Sequence, residues 1–125
     1  MKPNEAAGVL EQAAIQALMS LNSPGGPDVC RQLITVYLNS SMDTMAVLRN
    51  AVEQSNATAI FQAAHGLKSS SAMLGGRRLA DSLKQLEAAG QSGMLEPVEA
   101  LLASAELEYD LFSRALQDHL SESAT

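Results

Sequence analysis

The sequence predicts an all-α fold, an antiparallel four-helix bundle with an additional short N-terminal helix, and three observations predict it. Turn-forming residues are confined to a few short clusters. The stretches between them are long and rich in Ala, Leu, Glu, Gln and Met, which propagate helix well. Within each stretch apolar residues recur at the spacing of one helical face.

The first helix is expected to start at Asn4 or Glu5 and to end near Leu21, with Leu10, Ala14, Ala17, Leu18 and Leu21 as its apolar face. Asn22-Ser23-Pro24-Gly25-Gly26-Pro27 then breaks the chain, because two prolines and two glycines cannot continue a helix. The second helix should cover residues 28–54, with Val29, Leu33, Val36, Tyr37, Leu48 and Val52 as a stripe that residues 40–43 dilute. Ser55-Asn56 supplies an N-cap for the third, whose buried face is Ile60, Ala64, Leu67, Ser71 and Leu74 and whose stop is Gly75-Gly76. Leu79, Leu83 and Leu86 mark a fourth, stopped at Gly90. After Gln91-Ser92-Gly93, Pro97 fits a first helical turn, and Val98, Leu101, Leu102, Ala105, Tyr109, Phe112, Leu116 and Leu120 carry a long fifth helix. Residues 121–125 are expected to fray. Short connections make the four long helices antiparallel, and the first helix packs across one end. Cys30 reads as a small buried or half-buried apolar group, and Met42, Met45, Met73 and Met94 as core fillers.

A length of 125 residues fits a single domain over residues 1–125 with its core in about 5–120. A net charge of −6 and an aromatic content of 3%, without Trp, argue against a nucleic-acid binder, which needs a basic footprint and stacking platforms. No apolar run approaches the length needed to cross a bilayer and no signal-peptide core follows Met1, so the expected location is cytoplasmic without membrane insertion. One cysteine excludes an internal disulfide and a paired-thiolate zinc site. Neither histidine has a carboxylate or a second histidine at ligand spacing on its own helical face, so no metal site and no cofactor is expected.

Chemistry concentrates in one segment. If Ala64, Leu67, Ser71 and Leu74 face the core, His65 lies about 100° of helical rotation from Ala64 and reaches solvent. Its neighbours one turn away are Phe61, Gln62, Lys68 and Ser69. A cation beside an imidazole suits a histidine that carries an anion: Lys68 would neutralise a phosphoryl group and Ser69 would hydrogen-bond it. Gly66 inside a helix costs about 1 kcal/mol relative to alanine and requires either a packing or an access explanation. Residues 65–84 hold Lys68, Arg77, Arg78 and Lys84 against Asp81, a basic island in an acidic chain that would attract an acidic partner pocket. His119, near the far end without such neighbours, reads as a solvent-facing side chain.

The run from Ala64-His65-Gly66-Leu67-Lys68 through Gly75-Gly76-Arg77-Arg78, followed by Leu83, Leu86-Glu87 and Gly90, resembles the histidine-containing phosphotransfer (HPt) domain of bacterial phosphorelays. The resemblance implies that His65 accepts a phosphoryl group from a receiver-domain aspartate and passes it to another receiver, and that Lys68 is the lysine beside the phosphohistidine. It implies that Glu87 hydrogen-bonds the imidazole, fixing its tautomer. Phe61, Gln62, Gly66, Ser69, Arg77 and Lys84 are then the expected partner-binding residues. The implied partners are response-regulator receiver domains and a hybrid sensor histidine kinase, with Mg²⁺ on the receiver. The short lead-in before Val9 favours a C-terminal module of such a kinase, and a monomer is expected. Ser69 stands where the family usually has Gly, and Ser55-Asn56 where it often has Gly-Asp.

The chain has no ATP-binding elements, so it is expected to relay phosphate without being a kinase. The rival from the binding class is a helical domain that docks a receiver without phosphotransfer; receiver binding with no label would reveal it. The rival from the enzyme class is a phosphohistidine phosphatase or dimerising kinase fragment, which ATP-dependent self-labelling would reveal.

Overall fold

In the computed structural model, which describes residues 8–123, the order of elements is α1 (Gln12–Met19), α2 (Val29–Glu53), α3 (Ala57–Met73), α4 (Arg77–Ser92) and α5 (Val98–Ser123). The four long helices run up and down, and α1 lies at the end that holds the α3–α4 turn. Residues 4–7, where α1 was expected to begin, fall outside the described residues. Residues 8–11 form a turn instead of helix, because Gly8 is left-handed (φ 77°) and the Glu11 N–H donates to the carbonyl of Gly75 at 2.8 Å. The buried face of α1 is Ile15 and Leu18, with Val9 before it; Ala17 and Leu21 point to solvent, so the expected face is rotated.

Helix α2 begins where Asp28 accepts a hydrogen bond from the Arg31 N–H at 3.0 Å, and the Asn22 amide oxygen accepts from the Val29 N–H at 2.7 Å, stapling the Pro/Gly loop to the helix start. Its core stripe is Cys30, Ile34, Tyr37, Ser41, Met45, Leu48, Ala51 and Val52. Val36 is exposed, one position off this stripe. Ser41 does not dilute the face: its hydroxyl is buried against Tyr109 Oη at 2.8 Å, linking α2 to α5. Of the four methionines expected in the core only Met45 is there; Met42, Met73 and Met94 are exposed.

Helix α3 starts at an Asn56 cap, whose side chain accepts from the Ala59 N–H at 3.1 Å, and buries Ile60, Ala63, Ala64, Leu67 and Ser71, with Leu74 just beyond. Its stop is Gly75 (φ 91°), and a Cβ on Gly76 would sit 2.8 Å from the Phe112 ring of α5. Helix α4 continues through Gly90 and ends at Gly93 (φ 75°), the left-handed C-cap, so the terminating glycine lies one turn later than expected. Helix α5 remains helical through Ser123, including residues expected to fray. Its end is tied down where the Arg31 guanidinium donates to the carbonyl of Leu120 at 3.1 Å.

Beneath the outer surface of α3, Tyr37 Oη and Ser71 Oγ share a buried hydrogen bond of 2.8 Å, and the Tyr37 ring meets Phe112 edge-on at 5.6 Å. Burial pushes the Tyr37 phenol well up from its ordinary value, so it stays protonated. Tyr37→Phe strands the Ser71 hydroxyl without its phenol partner and should cost about 1–3 kcal/mol, whereas Tyr37→Phe with Ser71→Ala should recover most of that loss. Urea denaturation of the three proteins measures it, and an unchanged midpoint for Tyr37→Phe would contradict the reading.

Candidate functional site

The burial of Ala64 and Leu67 rotates the intervening His65 outward at mid-helix, and its side chain is 59% exposed. On α4, the burial of Leu86 and Ala89 turns Glu87 toward α3, where its side chain is only 14% exposed. The two meet: His65 Nδ1 lies 2.5 Å from Glu87 Oε2. A carboxylate only accepts, so Nδ1 carries the proton and donates it, which in the neutral ring leaves Nε2 as the nitrogen with an available lone pair.

Lys68, one turn further along α3, donates from Nζ to the other oxygen of the same carboxylate at 2.8 Å. Glu87 thus clasps the imidazole and the ammonium together. The Lys68 ammonium first, and then the His65 ring N–H, hold the Glu87 carboxyl below the ordinary carboxylate range. The contact between Lys68 and Glu87 joins two helices, so the spacing within α3 does not encode it; it arises from the inward turn of Glu87.

One turn before His65, the Phe61 ring stacks on the imidazole with centroids 5.7 Å apart and planes 14° from parallel. Gly66 is exposed, and a Cβ there would meet nothing within 4 Å. Internal packing therefore does not explain it. Ser69 is exposed, but its hydroxyl donates to the His65 carbonyl at 3.3 Å and not toward the ring. Lys84 is exposed on α4 one turn before Glu87. Arg77 begins α4, about 15 Å along the helix axis from Glu87, and is not brought to His65. Arg78 is ion-paired with Glu108 of α5 at 2.7 Å, joining helices within the bundle.

Gln62 faces a shallow groove between α2 and α3 that also involves Val47, Asp43, Thr44, Ala59 and Ala63. Val47 is 56% exposed, an apolar side chain off the core stripe of α2 and beside the histidine helix. The periodicity of α2 carried the only signal for it, as a valine at a position the buried stripe does not use. His119 is half-buried, not solvent-facing, in a cleft that Val9, Leu10 and Leu111 share. Among the described residues no group of three or more His, Cys, Asp or Glu is arranged to hold a metal ion, and no helix is long and apolar enough to cross a membrane.

A family model described as the Hpt domain matches residues 32–124. The fold is similar to the crystal structure of histidine-containing phosphotransfer protein B (HptB) from Pseudomonas aeruginosa PAO1, with a TM-score of 0.85 and 22% sequence identity over 93% of this chain and 97% of that one. No curated protein matches the chain.

Proposed function

The chain belongs to the Hpt domain family, whose members carry phosphoryl groups between receiver domains of response regulators, and from that premise we propose that His65 is its phosphoryl carrier. The observation that supports this most is the clasp on Nδ1: it holds one tautomer, while Nε2 remains on an exposed side chain. In the proposed step the Nε2 lone pair attacks the phosphorus of a receiver's aspartyl phosphate. An N–P bond forms as the P–O bond to aspartate breaks, and its electron pair leaves on the carboxylate. Positive charge develops on the ring, and Glu87 offsets it through the Nδ1–H it already accepts. Lys68 has three N–H donors, of which Glu87 takes one at 2.8 Å, so others serve the transferred oxygens. Transfer to a second receiver is the reverse.

In this reading the chain is a carrier with no catalysis of its own, Mg²⁺ stays with the receiver, and the module works as a cytoplasmic monomer served by a hybrid sensor kinase. Incubation with radiolabelled phospho-receivers should transfer an acid-labile, base-stable label to the chain; a panel of receivers that all bind it and leave no label would overturn the carrier role in favour of docking alone.

The exposed Gly66, the small residues along α3 and the groove at Gln62 and Val47 supply a surface on which a receiver can press close to Nε2. Val47→Glu places a charge in that groove and should slow transfer from a phospho-receiver about tenfold, equivalent to 1.4 kcal/mol, with folding stability changed by no more than about 0.5 kcal/mol. Labelling by phosphoramidate, which needs no docking surface, should be unaltered. Equal loss with both donors would place the defect in the site instead of the groove.

A further inference from the structure

We propose that Gly90 is a positioning residue of this site: its missing side chain lets α3 and α4 approach at backbone distance, and that spacing places Glu87 on His65. Gly90 is buried in the last turns of α4, and it is not there to end the helix, since Gly93 does that in the left-handed conformation. A Cβ on Gly90 would lie 2.7 Å from the Phe61 backbone nitrogen, 2.8 Å from the Ala57 carbonyl oxygen and 3.0 Å from Phe61 Cα. All three are backbone atoms of α3, so no rotamer change relieves the overlap. Reaching an ordinary contact of 3.4 Å from 2.7 Å requires the helices to move apart by about 0.7 Å.

The location of that contact gives it its consequence. Gly90 follows Glu87 by one turn on α4, and Phe61 precedes His65 by one turn on α3; because the helices are antiparallel, both steps lead in the same direction. The Gly90–Phe61 approach therefore sits next to the His65–Glu87 hydrogen bond. Phe61 also stacks on the imidazole, so the same approach bears on the ring's face and on its Nδ1 partner. A hydrogen bond of 2.5 Å does not survive a separation of that size with its geometry unchanged.

The role in transfer rests on His65 being the carrier, whereas the placement of Glu87 does not, and the test separates them. In the full chain, Gly90→Ala is compared with Gly76→Ala, which introduces a comparable overlap against the Phe112 ring away from the histidine. Long-range ¹H–¹⁵N spectra report which imidazole nitrogen carries the proton, and ¹³C spectra report the titration of the Glu87 carboxyl. Gly90→Ala should shift the tautomer ratio at least threefold away from Nδ1–H, move the Glu87 titration up toward the ordinary carboxylate range and slow receiver transfer about tenfold. Gly76→Ala should lose stability and leave tautomer and titration as in the native chain. In a Glu87→Ala background, adding Gly90→Ala should leave the tautomer ratio where Glu87→Ala alone puts it, because the effect passes through that carboxylate.

A native tautomer ratio and Glu87 titration in Gly90→Ala would overturn the proposal, whatever its stability. Should Gly90→Ala not fold, Glu87→Asp withdraws the carboxylate by one methylene at native helix spacing. It should produce the same tautomer shift, and a native spectrum there would equally overturn the role of spacing. A tautomer shift in Gly90→Ala, with no receiver able to label even the native chain, would overturn the carrier assignment and leave Gly90 as the residue that places Glu87.

Discussion

His65→Gln should reduce label accepted from every phospho-receiver to background, a loss of more than about 10³-fold, while the bundle stays folded. Glutamine offers no nitrogen with an available lone pair, so no N–P bond can form in place of the one proposed at Nε2. The fold should tolerate the change because the side chain is 59% exposed and the core beneath it is built from Ala64 and Leu67. Losing the contact with Glu87 at the surface should alter stability by no more than about 1 kcal/mol. Radiolabel transfer with circular dichroism and urea denaturation on the same preparations checks both halves. Label persisting in His65→Gln would move the acceptor elsewhere in the chain.

Glu87→Ala should slow transfer about 10–100-fold, by analogy with other partners that orient a reactive imidazole. It removes at once the acceptor that holds Nδ1–H and the anion that offsets charge on the ring, and it leaves Lys68 without its 2.8 Å partner. Glu87→Gln keeps an acceptor without the charge and should fall between native and alanine. The same clasp has a pH signature. Because the folded carboxyl is held below the ordinary carboxylate range, its contribution to stability is fully present above that range and is lost as pH falls through the lowered value. Native and Glu87→Ala stabilities should therefore converge in acid, and urea midpoints as a function of pH measure the convergence. A stability difference that persists unchanged below the native titration would show that packing, not ionisation, is what the alanine removes.

The parts of this molecule legible in the sequence are those that local chemistry decides. The buried face of α3, with Ile60, Ala64, Leu67, Ser71 and Leu74, follows from helical spacing, and its cap at Asn56 and stop at Gly75 follow from backbone preference. The exposure of His65 follows from that face. Where a neighbouring element decides, the sequence misleads. Val36 has the hydrophobicity of a core residue and is exposed, whereas Ser41, expected to dilute the face, is buried where Tyr109 of α5 meets its hydroxyl. Gly90 has the chemistry of a helix stop, yet it is retained inside α4 where the backbone of Phe61 comes within reach. Val9 and Ile15 are buried on either side of Glu11, whose N–H donates to the carbonyl of Gly75, a contact that no periodicity encodes.

The same division runs through the site. Lys68 is one turn from His65 on any helical reading, but its ammonium is held by Glu87, a residue of the next helix, at 2.8 Å. Arg77 and Lys84 belong to one basic stretch of sequence, and the helix axis separates them: Lys84 sits a turn from Glu87, while Arg77 is carried about 15 Å away. The groove at Val47, proposed above to receive a receiver domain, draws on two helices and is visible only when α2 and α3 are side by side.

The clasp on Nδ1 underlies the proposed assignment of Nε2 as the atom that takes the phosphoryl group. That assignment is tested most directly by phosphorylating ¹⁵N-labelled native chain with a phospho-receiver and recording which imidazole nitrogen couples to phosphorus. The expected result is coupling to Nε2 of His65 with Nδ1–H retained. Coupling to Nδ1, or to a nitrogen of His119, would contradict it.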